Sequence, residues 1–503
     1  MNSGWARIWP GLSALLAGGL TTLGFAPFGL WPLAIIGPAG LFWLWSVHPG
    51  PAFRLGLLFG LGLMASGVTW LHVSIAQFGN VGWFFPLLVT GQFVLLMSLY
   101  YGLAGWLSRF FADSSPGLRL GLAYPALYVL AEWLRGWFLS GFPWLELGCS
   151  QLDTPLAGYG PLLGGLGVSW AVALSAGLLV LLGRAGRTRG YALASLLLLW
   201  AGGWGLLQID WGRPLGRPLK VALVQGNIPQ HKKWDLDQLT PSLALYARLS
   251  EQHLDRDLIV WPETAVSAFQ YQVDEAFLKP LEQVLSLNHS QLVFGVVRLD
   301  ADGERYYNAM VSMGAAGRDH YYKRHLVPFT EYLPLKSLLS PLVDFFTIPM
   351  SDFTPGRGKP LMQVGSYPVG MSICYEDAFG SEQIQALPQA AYLLNASNDA
   401  WFGDSLAPHQ HLQIARMRAL ETGRYLLRAT NTGISAIIGP HGELLAHSPL
   451  LQEDVLLGEI QPLAGATPYV RYGNLAILAL LLLALMFAYP CVNRAREWAD
   501  RRA

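Results

Sequence analysis

The sequence predicts a multi-span α-helical membrane domain joined to a single α/β domain, on the strength of three observations. The chain of 503 residues is 52% hydrophobic and only 13% charged, whereas soluble globular chains carry roughly a quarter charged residues. Apolar character is concentrated in residues 11 to about 208 and again in 473–490. Between them, residues from about 218 to 466 have an ordinary soluble composition, with short β-branched runs alternating with helical stretches.

A spanning helix needs roughly 20 predominantly apolar residues. By that measure the first half holds seven candidates, at about 11–27, 30–47, 55–77, 82–105, 119–139, 161–183 and 190–208. An eighth lies at about 472–490. The first two share the Pro-containing turn FAPFGLWP. The expected division is a membrane domain over 1–210, a catalytic domain over 218–466, a C-terminal span over 470–491 and a tail over 492–503. A signal peptide is the other reading of the first segment, because Arg7 precedes it; no A-x-A-like site follows, and six more apolar segments do.

The arginines set the orientation. Arg7, Arg54, the pair Arg109 and Arg119, then Arg184, Arg187 and Arg189 fall in alternate connections, and Arg494, Arg496, Arg501 and Arg502 follow the last span. Positive residues collect on the cytoplasmic side. Seven spans before the soluble domain and one after it put both termini in the cytoplasm and the soluble domain outside. One outer connection, 136–160, is long and rich in Trp and Phe, including Trp144 in GFPWLELG. Such aromatics anchor segments at the headgroup level; the other reading is an interfacial arm that guides lipid beneath the catalytic domain.

In the soluble part, KVALVQGN (220–227), DLIVWPE (257–263), QLVFGVV (291–297), VGMSICYE (369–376), AAYLLNASND (390–399), GISAIIGP (433–440) and VLLGEI (455–460) read as strands. Near-continuous apolar runs of this kind are strands covered on both faces. Residues 238–253, 274–287 and 409–423 read as helices.

Several function classes lose support here. The formal net charge is zero, which gives no basis for a nucleic-acid partner. No G-x-G-x-x-G or Walker motif appears, so nucleotide binding has no support. The three cysteines, Cys149, Cys374 and Cys491, are far apart and form no CxxC, which argues against a disulfide framework. Cys149 and Cys491 are read as membrane-proximal packing residues. His409 and His411 form an HxH, but on a helix the two do not share a face and no acidic or Cys partner is suitably spaced, so no metal site is expected. The N-x-S sequons at Asn288 and Asn395 are chance-level matches.

Three residues at strand ends make a chemical set. Glu263 in IVWPETA, Lys323 in YYKRHLVPFTEY and Cys374 in SICYED each have an ordinary reading alone: a helix cap, a solvated lysine and a small buried thiol. Together they supply a nucleophile, a base to deprotonate it and a cation for the thiolate and for an oxyanion. That is the arrangement for acyl transfer through a thioester. Spacing does not show that the three meet.

WPE, YxKxHLVPFxEY and ICYE, in this order, resemble the three signature blocks of the nitrilase (carbon-nitrogen hydrolase) superfamily. With the flanking spans, nearly the whole chain resembles its membrane-anchored branch, the apolipoprotein N-acyltransferases. FAPF, WLHVSIAQFG (70–79), GFPWLELG (141–148), NASNDAWF (395–402) and RATNTGISA (428–436) are also similar to that branch. Thr330 departs from it, standing where Gly is frequent. The resemblance implies an αββα sandwich and a catalytic triad of Glu263, Lys323 and Cys374. It implies supporting roles for Glu331, which holds the lysine, and for Tyr375 and Glu376 beside the nucleophile. Trp234, Trp144 and Asn308 are the implied substrate-side residues, Trp234 on a loop over the site. The implied reaction moves the sn-1 acyl chain of a phospholipid, phosphatidylethanolamine first among donors, through a Cys374 thioester. The acceptor is the α-amine of the diacylglyceryl-cysteine of an apolipoprotein, in the bacterial inner membrane with the catalytic domain on the periplasmic side. No cofactor is implied.

Two other functions fit parts of the sequence. A membrane-tethered amidase or nitrilase uses the same triad with water as acceptor. A transporter with an inactive appended domain predicts charges deep in the spans, where Glu132 and Arg135 are the notable exceptions to an uncharged first half.

Overall fold

A computed structural model describes residues 3–78, 84–300, 302–334 and 352–490. The tail 492–503, with its four arginines, and Cys491 lie outside the described residues. The chain forms two compact units. One comprises Met1–His72, Gly82–Ile209 and Arg471–Ala503; the other comprises Val73–Val81 and Asp210–Val470.

The first unit is helical. Its main helices are Ser3–Thr22, Leu33–Val47, Ala52–Gly67, Phe84–Ser108, Tyr124–Arg135, Gly160–Leu182, Arg187–Leu206 and Leu475–Ala488. Among the described residues, two helical stretches, Phe84–Phe111 and Pro155–Leu182, are long and apolar enough to cross a membrane, and Leu33–Val47, Ala52–Gly67 and Leu475–Ala488 are shorter apolar helices. Glycines let these helices approach backbone to backbone. A Cβ on Gly62 would stand 2.0 Å from the Leu15 carbonyl oxygen, and one on Gly18 would stand 2.0 Å from that of Phe59. On another side of the same helix a Cβ on Gly56 would meet the Tyr101 carbonyl at 2.1 Å. Small residues at such crossings are how helices pack where burial of apolar area between them is no driving force. Outward faces stay apolar: Leu88, Leu95, Leu99 and Leu103 form an exposed stripe on Phe84–Ser108, and Leu198 is 73% exposed. Exposed apolar surface on this scale requires an apolar environment or a partner.

Two elements depart from the expected spans. The stretch 55–77 is not one helix: Ala52–Gly67 ends where Val68 leaves helical geometry at φ −127°, and a short helix, Leu71–Phe78, follows. Its residues from Val73 onward belong to the second unit, where the Ser74 hydroxyl donates to the Trp401 carbonyl at 2.6 Å. The aromatic connection 136–160 is mostly not a surface belt. Of its hydrophobic residues only Trp137, Phe138 and Leu139 are strongly exposed, while 142–152 are buried. Glu132 and Arg135 explain this burial. Arg135 Nη1 donates to the carbonyls of Phe142 and Trp144, and the Leu147 N–H donates to Glu132 Oε1 at 2.9 Å. The two charges that a transporter reading would use thus hold a loop in place.

The second unit contains strands β1 (Leu219–Gln225), β2 (Leu258–Val260), β3 (Val266–Phe269), β4 (Gln291–Leu299), β5 (Tyr306–Gly314), β6 (Asp319–Tyr322), β7 (Leu361–Val364), β8 (Tyr367–Ile373), β9 (Leu393–Ser397), β10 (Leu426–Thr430), β11 (Ala436–Ile438), β12 (Leu444–His447) and β13 (Asp454–Ile460). One sheet has the order β13-β1-β2-β4-β5-β6, with β3 also paired to β4; the other has the order β12-β11-β10-β9-β8-β7. At the centre of each, β1-β2-β4 and β8-β9-β10 run parallel.

The sheets pack face to face. Val221, Leu223, Val260, Val293 and Met310 meet Met371, Ile373, Leu394, Ala396, Leu427 and Ile437 in one core. The alternate residues Ala222, Val224, Ile259 and Phe294 face the helices Leu239–Glu251 and Lys279–Leu287. On the other side, Leu393, Leu426 and Ile438 pack on the helix Ala407–Thr422. Both faces of both sheets are covered, which is why these strands read as unbroken apolar runs. The result is four layers, helix-sheet-sheet-helix, the sandwich expected from the resemblance. The sequence reading contains no strand at β3, β5, β6, β7, β10 or β12; β10 escapes it because Arg428 and Thr430 interrupt its apolar pattern.

Candidate active site

The site forms beyond the carboxyl ends of the parallel strands, where open α/β sheets present their reactive residues. β2 ends at Val260, three residues before Glu263; β8 ends at Ile373, next to Cys374; and Lys323 follows β6 directly. The Lys323 N–H bonds the Asn308 carbonyl at 2.9 Å and so continues the β5–β6 pairing.

The structure brings the three expected residues together. Lys323 is 2% exposed. Its Nζ lies 3.3 Å from Glu263 Oε1 and 2.9 Å from Glu331 Oε1. Burial opposes the ammonium charge, but Glu263 and Glu331 outweigh it and hold this lysine above its ordinary range. Asn308 Nδ2 donates to both carboxylates, at 2.7 Å to Glu263 and 3.1 Å to Glu331. The second oxygen of Glu331 accepts the Val327 N–H at 2.8 Å. An ammonium has three donors; two are committed to the glutamates, which leaves one for a ligand.

Cys374 begins a tight turn, Cys374–Ala378, with φ 53°. The left-handed region is sparsely populated for a residue with a Cβ. Its thiol bonds the Ser397 side chain; burial pushes its ionisation up, Glu263 adds to that and Lys323 opposes it. In the resting site the thiol therefore keeps its proton, with a carboxylate and an ammonium beside it.

Glu376 sits under this turn and is buried. It accepts from Tyr321 Oη at 2.9 and 3.0 Å, from the N–H groups of Arg324 and His325 at 2.6 and 3.0 Å, and from that of Ile373 at 2.7 Å. Burial pushes its ionisation up to about 7, against these donors and the Lys323 charge. Tyr375 packs edge-on against Phe379, with ring centroids 5.1 Å apart.

The remaining expected residues separate into two groups. Asn308 is central, bridging the two glutamates. Trp234 is 38% exposed on the loop that follows β1. Trp144 is 1% exposed in the helical unit, packed against Trp70 and Phe142 at centroid distances of 5.4 and 5.9 Å.

Sequence reasoning missed Lys233. It is buried, and its Nζ donates to the Glu263 carbonyl at 3.0 Å. Burial lowers its ionisation to about 8, with Glu263 and Cys374 opposing. In HKKWD nothing in the pattern says which of the paired lysines turns inward. A buried polar cluster of Asp377, Asp399, His411 and Arg428 behind Cys374 was also missed. The only signals were the histidine of the HxH and an arginine within an apolar strand. Among the described residues no His/Cys/Asp/Glu group suits a metal ion.

The family model described as carbon-nitrogen hydrolase matches residues 220–469. That described as apolipoprotein N-acyltransferase N-terminal domain matches residues 17–178. The apolipoprotein N-acyltransferase of Methylococcus capsulatus is 46% identical over 469 residues, 92% of this chain and 92% of that protein. The chain belongs to the apolipoprotein N-acyltransferase family. The relative from Nitrosomonas europaea is 42% identical, covering 94% of this chain and 96% of its own length, and that from Azotobacter vinelandii is 44% identical, covering 94% of each. As a member of the apolipoprotein N-acyltransferase family, the chain carries its Glu263-Lys323-Cys374 site wholly within the carbon-nitrogen hydrolase segment. The N-terminal segment that marks this family lies mostly within the helical unit with its apolar outer faces.

Proposed function

We propose that this protein is an apolipoprotein N-acyltransferase that moves an acyl chain from a phospholipid to the N-terminal amine of a diacylated lipoprotein. One observation carries the reading: a half-buried thiol beside a carboxylate and an ammonium, in a chain whose other unit has apolar outer faces. Glu263 takes the Cys374 proton, and the thiolate attacks the sn-1 ester carbonyl. The third N–H of Lys323 bonds the oxyanion of the tetrahedral intermediate, where such donors contribute most. On collapse the ester C–O bond breaks, Glu263 protonates the departing lysophospholipid, and a thioester remains on Cys374. The α-amine of the diacylglyceryl-cysteine then attacks the thioester. Glu263 receives the amine proton, the C–S bond breaks, and the thiol is regenerated. Glu331 and Asn308 hold Lys323 and Glu263 in register, Glu376 fixes the cysteine turn, and Trp234 covers the entrance.

The placement of the enzyme belongs to the same proposal. Eight spans divide the chain as a membrane domain over 1–210, a catalytic domain over 218–466, a last span over 470–491 and a cytoplasmic tail. The alternating arginines support a catalytic domain on the periplasmic face of the inner membrane. Phosphatidylethanolamine is the proposed donor.

The test is acyl transfer with purified enzyme. Phospholipid alone should release about one equivalent of lysophospholipid and then stall, as for an accumulating acyl-enzyme. Mass spectrometry should find the acyl group on Cys374. A diacylated lipopeptide with a free amine should restart release; its N-acetylated form should not. Steady fatty-acid release without lipopeptide would make water the acceptor and the protein a hydrolase.

A further inference from the structure

Behind Cys374, between the turn that follows β8 and the helix Ala407–Thr422, lies a closed set of four ionisable side chains. His411 is 1% exposed, and Asp377, Asp399 and Arg428 are as deeply buried. His411 Nδ1 lies 2.9 Å from Asp399 Oδ1 and its Nε2 lies 2.9 Å from Asp377 Oδ1. Arg428 closes the ring, with Nη1 3.0 Å from Asp377 Oδ2 and Nη2 3.0 Å from Asp399 Oδ2. Two carboxylates balance one guanidinium and one imidazolium, so the set is neutral only while His411 carries both protons. Unpaired buried charge is costly, and a closed neutral set avoids that cost.

This ring also reaches the nucleophile. His411 Nε2 lies 3.4 Å from the main-chain oxygen of Cys374, and Asn395 Nδ2 donates to the same oxygen at 3.2 Å. Arg428 Nη1 donates to Asn395 Oδ1 at 2.6 Å and so orients that amide. On the thiol side, the single Ser397 hydroxyl proton goes to Asp399 Oδ1 at 3.0 Å, which leaves Ser397 Oγ as the acceptor for the Cys374 thiol. Both the backbone and the side chain of Cys374 are therefore tied to one ring. A left-handed cysteine persists only where its surroundings over-determine it, and four elements do so here: the turn after β8, β9 with the turn that follows it, β10 and the helix Ala407–Thr422.

We infer that the Asp377–His411–Asp399–Arg428 ring is a positioning device for the nucleophile, in which the His411 imidazolium and Asn395 hold the Cys374 carbonyl and thereby fix the turn that aims the thiol. His411 is then a positioning residue: it never meets substrate. Burial and Arg428 oppose its charge, Asp377 and Asp399 outweigh them, and its ionisation is pushed up to about 9. Facing it are Asp377 from the turn after β8, Asp399 from the turn after β9, Arg428 from β10 and the Cys374 carbonyl, among other contacts. The inference rests on Cys374 being the reactive residue of the proposed function.

The experiment uses the full-length protein in detergent and reads the second-order rate of iodoacetamide alkylation at Cys374, mapped by peptide mass spectrometry. That readout needs no substrate, so it separates this inference from the acyltransfer reading. His411→Gln keeps a hydrogen-bonding side chain and removes the cation. Arg416→Gln, on the same helix, loses a bond to the Gly442 carbonyl rather than to the cysteine turn, and is the control for stability alone. The expected result is at least a tenfold lower alkylation rate at pH 8 in His411→Gln, together with a lower lysophospholipid burst rate at unchanged KM for phosphatidylethanolamine vesicles. Arg416→Gln, compared at equal loss of Tm, should alkylate near the wild-type rate. If His411→Gln does not fold, Asn395→Ala removes the other donor to the same carbonyl and must give the same pattern. An alkylation rate at the wild-type level in the folded variant, or an equal loss in Arg416→Gln, would overturn the inference.

Discussion

The carboxylate of Glu376 accepts the main-chain N–H of Arg324 at 2.6 Å and so joins the segment that carries Lys323 to the turn that carries Cys374. Two halves of the site that arrive from different sheets share one buried acceptor.

Replacing that acceptor should separate the two halves. In Glu376→Gln one oxygen becomes an NH2 group that faces donors, leaving buried N–H groups without an acceptor. Each such group costs about 1–3 kcal/mol, which thermal unfolding can measure. The acylation rate should fall on the order of a hundredfold, the usual effect of a displacement near 1 Å at a reacting centre. A pre-steady-state burst within threefold of wild type would show that Glu376 does not set the geometry.

The Lys233 bond to the Glu263 carbonyl makes a second, independent prediction. Lys233→Met keeps the length of the side chain and removes the bond that ties the Trp234 loop to Glu263. The value of kcat/KM for phospholipid should drop about tenfold, since an oriented hydrogen bond from a charged group contributes roughly 1.5–3 kcal/mol. Lys232→Met, at an exposed neighbour, should change little. Equal kinetics for the two variants would remove Lys233 from the site.

Stability should depend on pH through His411. Its folded-state ionisation lies at about 9, above the ordinary histidine value of 6.5. The folded protein therefore binds more protons than the unfolded chain between those values, and stability falls as pH rises through that window. Lys233, lowered to about 8 from 10.5, acts with the opposite sign above pH 8. The comparison is thus best made from pH 6.5 to 8, where the Tm of wild type should decline more steeply than that of His411→Gln. Parallel slopes would mean that His411 is not held charged.

Topology has its own measurement. A periplasmic reporter fused near residue 300 should be active, and one fused after Ala503 should be inactive. A cytoplasmic signal near 300 would contradict the arrangement of seven spans before the catalytic domain and one after it.

The sequence by itself determined the division into an apolar helical part and an α/β part, because hydrophobic periodicity reports directly which faces must leave water. It determined the order of Glu263, Lys323 and Cys374, and most of the strands covered on both faces. It did not reveal β10, whose Arg428 and Thr430 look unsuited to a buried strand until Asp377 and Asp399 are placed beside the arginine. It left Lys233 as one of two equivalent lysines and His411 as a dismissed metal ligand. Only the tertiary structure decided these points. The partner of a buried polar group is seldom near it in the chain: Lys323 meets Glu263 across 60 positions and Arg428 meets Asp377 across 51. Apolar burial is non-directional and leaves a local pattern, whereas a buried charge is tolerated only for the particular partner that the fold delivers to it.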